Sequence, residues 1–173
     1  RLFALLWWVD RFARGSEHER ATIYDLYVAN TRYINNWDLV DLTAPHIVGE
    51  QLFKKGRSLL TRLARSESLW ERRIAILATF YFIRQGESRD TLRIAKLLLH
   101  DSHDLIHKAV GWMLREVGNR DRDVEELFLR KHYQQMPRTM LRYAIERFDD
   151  RRRRMFLKGE FDSCPTGKER KDV

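Results

Sequence analysis

Apolar residues recur along almost the whole chain at the three- and four-residue spacing of amphipathic helices, and we find no period-2 alternation typical of a strand. The chain of 173 residues is long enough for one domain with a hydrophobic core. The pattern therefore predicts an all-α fold. The predicted helices cover residues 2–14, 19–32, 38–53, 58–65, 69–85, 89–100, 104–117, 124–134 and 137–149.

Residues that start or end helices lie at several of the predicted boundaries. Ser68 and Glu71 have the spacing of a capping box. Pro45 is expected to kink or split the third helix, because proline cannot donate a backbone hydrogen bond. Further signals are the N-cap candidates Ser88, Ser102 and Asp121, the C-terminal glycines Gly86 and Gly118, and Pro137 at a first helical position.

A weak internal repeat groups the helices into pairs. The segments 73–76 (RIAI), 107–110 (HKAV) and 142–145 (RYAI) share a basic residue, an alanine two positions later and then a β-branched residue. The alanines recur about every 35 residues, and helix pairs of that period stack as an α-solenoid. We therefore predict HEAT-like antiparallel helix pairs over residues 1–149, with the basic residues lining one concave face. Chance matches in amphipathic helices are the alternative.

The charge of the chain indicates the chemistry of its partner. The net charge is +8 and the isoelectric point is near 9.9, which favours a polyanionic partner over a merely soluble basic surface. Residues 150–173 form a predicted basic C-terminal tail in which four consecutive arginines, residues 151–154, follow Asp150. These arginines either contact phosphates or belong to a solvated helix end.

Cysteine content and apolar runs bear on the compartment. Cys164 is the single cysteine, so the sequence predicts neither disulfides nor a cysteine-based metal site, and a reducing, cytoplasmic setting is favoured. The apolar run at residues 2–9 is too short to cross a membrane and lacks a cleavage-site pattern, so it is interpreted as a core helix. Because the chain begins without Met inside a predicted helix, we expect further residues upstream.

The most informative side chains are Trp37 and Asp41, which are four residues apart and therefore share one face of a helix. Arg73, Trp112 and Arg115 complete a set in which a carboxylate and two indoles accompany cations. Each has an ordinary alternative: Asp41 as a surface carboxylate paired with an arginine, the tryptophans in core packing, and the arginines as solvated helix charges. Asp38 is expected to cap the helix, and Trp7, Trp8 and Trp70 to pack in the core.

A metal site is not favoured. The spacing of His100, His103 and His107 permits metal ligation, but His100 closes one predicted helix and His103 opens the next. The sequence also contains no glycine-rich phosphate loop and no nucleophile motif. We therefore predict neither a metal nor a cofactor.

Three motifs together resemble the DNA alkylation repair family of HEAT-like DNA glycosylases, the AlkD-like alkylpurine glycosylases. They are residues 36–41 (NWDLVD), 70–76 (WERRIAI) and 108–116 (KAVGWMLRE). Residues 136–146 resemble the last repeat of the family, and the resemblance spans most of residues 20–149. The tyrosine that the family places near the lesion has no counterpart here.

The resemblance implies a role for each member of the set. Trp37 and Asp41 match the catalytic tryptophan and aspartate, and Trp112 matches the second active-site tryptophan. Arg73 and Arg115 match DNA-binding arginines. The implied activity is monofunctional hydrolysis of the N-glycosidic bond of 3-methyladenine and 7-methylguanine in double-stranded DNA, without full base flipping and by a monomer. We see no lysine placed for imine chemistry. The alternatives are a non-enzymatic HEAT-like nucleic-acid-binding protein, a scaffold for an acidic protein and a histidine-based metal hydrolase.

Overall fold

The structure is a computed structural model that describes residues 1–160, and within this range it confirms the predicted all-α fold. Residues 161–173, with Cys164 and the end of the predicted tail, lie outside the described residues. The helices are α1 (Leu2–Arg14), α2 (Glu17–Ala29), α3 (Trp37–Asp41), α4 (Glu50–Lys54), α5 (Ser58–Ala64), α6 (Leu69–Arg84), α7 (Arg89–Leu97), α8 (Asp104–Arg120), α9 (Arg122–His132), α10 (Arg138–Ala144) and α11 (Asp150–Lys158).

Successive helix pairs stack side by side, as the repeat predicts. Helix α8 packs against both α6 and α10, while α7 packs on α6 and α9 packs on α8. The repeat alanines Ala75, Ala109 and Ala144 belong to α6, α8 and α10, and all three are fully buried. Small side chains allow neighbouring helix backbones to approach closely, so the chain forms an α-solenoid.

Several predicted boundaries are confirmed. The third predicted helix splits into α3, a π turn that begins at Pro45, and α4. Gly86 follows α6 with φ +84°, a left-handed conformation that favours glycine. The Asp121 carboxylate caps α9 by accepting from the Val124 amide at 3.1 Å. Pro137 is the N-cap of α10, one residue before the predicted position.

Other boundary predictions are wrong. Glu71 does not complete a capping box with Ser68, because its carboxylate accepts a hydrogen bond from the Thr31 hydroxyl at 2.6 Å instead. A capping box instead joins Ser16 to Glu19 at the start of α2. His103 rather than Ser102 caps α8, and Gly118 lies inside α8 rather than after its end. Ser88 is the N-cap of α7 as predicted, although its side chain makes no capping hydrogen bond.

Helix α1 is a core helix on one side only. Leu5 and Phe12 are buried, whereas Phe3 is 89% exposed and Trp7 is 59% exposed. The prediction of a core position is therefore wrong for Trp7, while Trp8 and Trp70 pack partly buried against the core. Within residues 1–160, no helix combines the length and the hydropathy that crossing a bilayer demands.

The first part of the predicted tail is a helix that packs on the domain. The Asp149 carboxylate caps α11 by accepting from the Arg152 amide at 2.9 Å. Phe156 is buried, and its ring lies 5.5 Å from that of Phe148 and 6.1 Å from that of Tyr133. Helix α11 is therefore held to the repeat domain by an aromatic cluster.

A fully buried carboxyl lies between α8 and α9. A Cβ atom on Gly118 would overlap the Glu125 carboxyl group, so the absence of a side chain at Gly118 makes room for it. Arg122 donates to Oε2 at 3.1 Å, whereas Oε1 has no hydrogen-bond partner among the described residues. Burial raises the pKa of Glu125 to about 8, because removal from water penalises the charged form more than Arg122 stabilises it.

Glu125→Gln is expected to remove a pH-dependent loss of stability. Between the unfolded pKa of 4.5 and the folded pKa of about 8, folding of the parent binds a proton at Glu125, so its contribution to stability falls as the pH rises. At pH 8.5 the variant is expected to be more stable than the parent by about 2 kcal/mol, because an amide does not ionise, whereas the parent then carries a buried carboxylate whose desolvation Arg122 offsets only in part. Urea unfolding at pH 5.5 and 8.5 measures this. Glu126→Gln, at the neighbouring residue that is ion-paired with Arg130, is the control and should lose stability between pH 5.5 and 8.5 as the parent does. An equal loss of stability in Glu125→Gln would contradict the raised pKa of Glu125.

Candidate active site

Helix α3 has one buried side and one side that faces the candidate site. Leu39 and Val40 are buried, whereas Trp37 is 51% exposed and Asp41 lies one turn after it. Asp38 occupies the first turn, and Asn36 rather than Asp38 is the N-cap, so the predicted cap is wrong. The burial pattern directs Trp37 and Asp41 toward the same region, as their spacing predicts.

A buried hydrogen-bonded pair anchors the end of α3. The Tyr27 hydroxyl lies 2.8 Å from the Thr43 hydroxyl oxygen, and Thr43 in turn donates to the Leu39 carbonyl oxygen. Tyr27 is fully buried, and burial raises its pKa, so the phenol stays neutral and available as a donor. These contacts hold the end of α3 against the core and thereby fix the position of Asp41.

Asp41 forms a bidentate salt bridge with Arg73 of α6. Arg73 Nε donates to Asp41 Oδ1 at 2.8 Å, and Nη2 donates to Oδ2 at 2.7 Å. Arg73 is only 5% exposed, and its Nη1 donates to the Leu105 carbonyl oxygen of α8. Parallel hydrogen bonds of this kind determine the orientation of a carboxylate as well as its position. The pair therefore joins α3, α6 and α8.

An open cleft of about 280 Å³ lies beside this salt bridge. The structure brings four of the five predicted residues together in its lining, and the fifth, Asp41, is bonded to Arg73. The lining residues are the predicted Trp37, Arg73, Trp112 and Arg115, together with Leu105, Lys108 and Tyr143. We call this feature the cleft.

Trp112 is held in the cleft on two sides. Its indole Nε1 donates to Glu116 Oε1 at 3.0 Å, and its ring centroid lies 6.0 Å from that of Phe80. Trp112 is partly buried against the core and also lines the cleft. It therefore has the core-packing role that was its alternative and, at the same time, a position in the cleft. Trp37 is half-exposed, so its ring is accessible to a ligand.

Each cation that lines the cleft has a carboxylate partner. Besides Arg73, Lys108 Nζ lies 2.7 Å from the Asp104 carboxylate, and Arg115 is ion-paired with Glu146. The hydrogen bond and the charge of Asp104 raise the pKa of Lys108, so its side chain is an ammonium. The cleft therefore presents paired charges.

The sequence reasoning missed Leu105, Lys108 and Tyr143. Lys108 could have been found, because it precedes Trp112 by four residues in α8 and therefore shares its face. Tyr143 has no such local signal. It reaches the cleft because α10 approaches α8 at Gly111, where a Cβ would lie 2.5 Å from both the Met140 carbonyl oxygen and the Tyr143 Cβ.

The remaining predicted basic positions and histidines have different environments. Arg142 is exposed, whereas His107 is half-buried, with Nε2 2.5 Å from the Asp101 carbonyl oxygen. His103 accepts from the Leu105 amide as the cap of α8. The repeat residues Arg73, His107 and Arg142 thus differ in exposure, and the concave basic face stays a prediction.

Comparison with protein-family models matches residues 1–148 to the family described as DNA alkylation repair enzyme. Among curated proteins, no match to the chain was found. The family match includes α3, α6, α8 and α10, the helices that carry the cleft. The chain therefore belongs to the DNA alkylation repair enzyme family.

Proposed function

We propose that this chain is a monofunctional DNA glycosylase that hydrolyses the N-glycosidic bond of cationic alkylated purines in duplex DNA. The observation that carries the proposal is the Asp41 carboxylate, oriented by Arg73, at a cleft lined by Trp37 and Trp112. The family supports a role in DNA repair. The proposed substrates are 3-methyladenine and 7-methylguanine, and the proposed setting is cytoplasmic.

The chemistry of these substrates suits the residues of the cleft. An alkylated purine that already carries positive charge leaves as a neutral base, so the reaction needs little acid catalysis. The sugar becomes oxocarbenium-like, and a preorganised carboxylate stabilises such a developing cation. Asp41 would provide this field and orient the attacking water, while the faces of Trp37 and Trp112 attract the cationic sugar and base.

The cations of the cleft would hold the DNA backbone. Guanidinium groups bind phosphate with geometric specificity, and phosphate contacts set the register of a protein on the duplex. Arg115 would exchange Glu146 for a phosphate. A guanidinium has five N–H donors, and Arg73 uses three of them within the protein, so two remain for DNA. The net charge of +8 supports attraction to the polyanion.

The state of Lys108 supports hydrolysis without strand cleavage. A glycosylase that cleaves the strand uses a neutral amine to form an imine with the sugar, and an ammonium has no lone pair for this attack. Lys108 is the lysine that lines the cleft, and Asp104 raises its pKa. The open shape of the cleft also supports action on a base that is not fully extruded.

Release of 7-methylguanine from a duplex oligonucleotide, with the protein in excess, tests the proposal. We expect time-dependent release of the free base and an abasic site that breaks only after alkali treatment. An unmodified duplex of the same sequence is the control. Salt-sensitive DNA binding without release of either alkylated purine would contradict the enzyme and favour the non-enzymatic nucleic-acid-binding alternative.

A further inference from the structure

Tyr143 lies in the cleft, and neither the sequence motifs nor the proposed mechanism gives it a role. It belongs to α10 and is 37% exposed, so part of its ring faces solvent. With Trp37 and Trp112 it makes three aromatic residues in the lining. The three side chains come from α3, α8 and α10, which are separate helices of the stack.

The position of Tyr143 is determined by backbone packing. Gly111 of α8 lies against α10 so closely that a Cβ there would be 2.5 Å from the Tyr143 Cβ. Lys108 and Trp112 stand on either side of Gly111 along α8, and both line the cleft. The Tyr143 Cβ therefore lies against the α8 backbone at Gly111, next to the position from which Trp112 enters the cleft.

The electrostatics of the cleft favour a cationic aromatic ligand. Unpaired cations in the lining would repel a positively charged base, but Arg73, Lys108 and Arg115 each have a carboxylate partner. Aromatic faces attract a cation that lies over them, and this attraction strengthens when water is displaced. The combination selects for a base that is both flat and positively charged.

We propose that Tyr143 is the third aromatic wall of the cleft and recognises the positive charge of the alkylated base through its ring face. The proposal rests on the proposed function and deepens it, because it makes the charge of the lesion, rather than its shape alone, the property that the cleft reads. Trp37 and Trp112 contribute their faces to the same ligand.

The test compares Tyr143→Leu with Tyr143→Phe. Leucine retains the Cβ beside Gly111 and an apolar side chain but removes the aromatic face, whereas phenylalanine removes only the hydroxyl. Two readouts are needed. One is the protein concentration that gives half-maximal single-turnover release of 7-methylguanine, and the other is affinity for a duplex with 7-methyl-7-deazaguanine, which has nearly the same shape but neither the charge nor a labile bond.

Tyr143→Leu is expected to raise this half-saturating concentration about tenfold, in the range of a desolvated cation–π contact, because the ring stabilises the charge that the base carries before the bond breaks. Its affinity for the uncharged analogue and its thermal unfolding should stay close to those of the parent, and Tyr143→Phe should resemble the parent in every readout. A parent-like half-saturating concentration for Tyr143→Leu would overturn the proposal, as would an equal rise in both variants or an equal loss of affinity for the uncharged duplex. A parent that releases no base would instead contradict the glycosylase function itself.

Discussion

Replacing Asp41 with asparagine is expected to slow the release of 7-methylguanine by about 10³-fold, the scale on which a single preorganised electrostatic group contributes to a rate. Asparagine keeps the size of the side chain and an oxygen that accepts from Arg73, but it removes the negative charge. The loss should therefore fall on the chemical step. Single-turnover release gives the rate, and fluorescence anisotropy with an undamaged duplex gives the affinity, which should change little.

Asp38→Asn is the matched control for this prediction. Asp38 lies in the same helix, but it does not line the cleft and forms no salt bridge within residues 1–160. Its replacement removes the same charge and should leave release close to that of the parent. If Asp41→Asn lost DNA affinity in proportion to activity, or if both variants lost activity equally, Asp41 would not be the catalytic carboxylate.

Replacing Arg73 with methionine is expected to lower the free energy of unfolding by about 3 to 5 kcal/mol, because it leaves the Asp41 carboxylate without its partner in a largely buried position. The side chains of Arg73 and Asp41 are 6% and 16% exposed in this salt bridge. Methionine fills most of the space of the arginine stem, so the loss reflects charge rather than volume. Urea unfolding at neutral pH measures it.

Arg115→Met provides the comparison at the cleft. The partner of Arg115, Glu146, is 51% exposed, so losing this pair should cost about 1 kcal/mol or less. The salt dependence of DNA binding should change more in Arg115→Met than in Arg73→Met. Arg115→Met should reduce the salt slope by about one unit. A parent-like stability of Arg73→Met, combined with a reduced salt slope, would mean that Arg73 acts only as a phosphate contact.

A double variant separates the partners of the buried pair. Removing both charges with Asp41→Asn and Arg73→Met should cost less stability than the sum of the two single changes, because no buried charge then lacks a partner. The coupling energy reports how strongly the two side chains depend on each other in the folded chain. Release activity should stay as low as in Asp41→Asn.

Local signals in the sequence predicted much of the fold and most of the cleft. Helical periodicity located the helices, since burial of one face is a property of each segment by itself. The repeat alanines predicted the stacking of α6, α8 and α10. The spacing of Trp37 and Asp41 predicted a shared face, and four of the predicted residues line the cleft.

Competition between distant partners accounts for the predictions that failed. Ser68 and Glu71 have the right spacing for a capping box, yet the Glu71 carboxylate accepts a hydrogen bond from the Thr31 hydroxyl instead. Gly118 resembles a helix-ending glycine, yet α8 continues past it, and its missing side chain leaves room for Glu125. In both cases a contact between segments decided among local structures of similar free energy.

The sequence by itself determined the all-helical fold, the stacking period and the candidate site residues, because these depend on spacing within single helices. Only the tertiary structure decided that Arg73 pairs with Asp41, that Lys108 and Arg115 have carboxylate partners, and that Tyr143 joins the tryptophans. The physical reason is that salt bridges and ring contacts depend on distances of a few ångströms between helices, and these distances follow from backbone approach at positions such as Gly111.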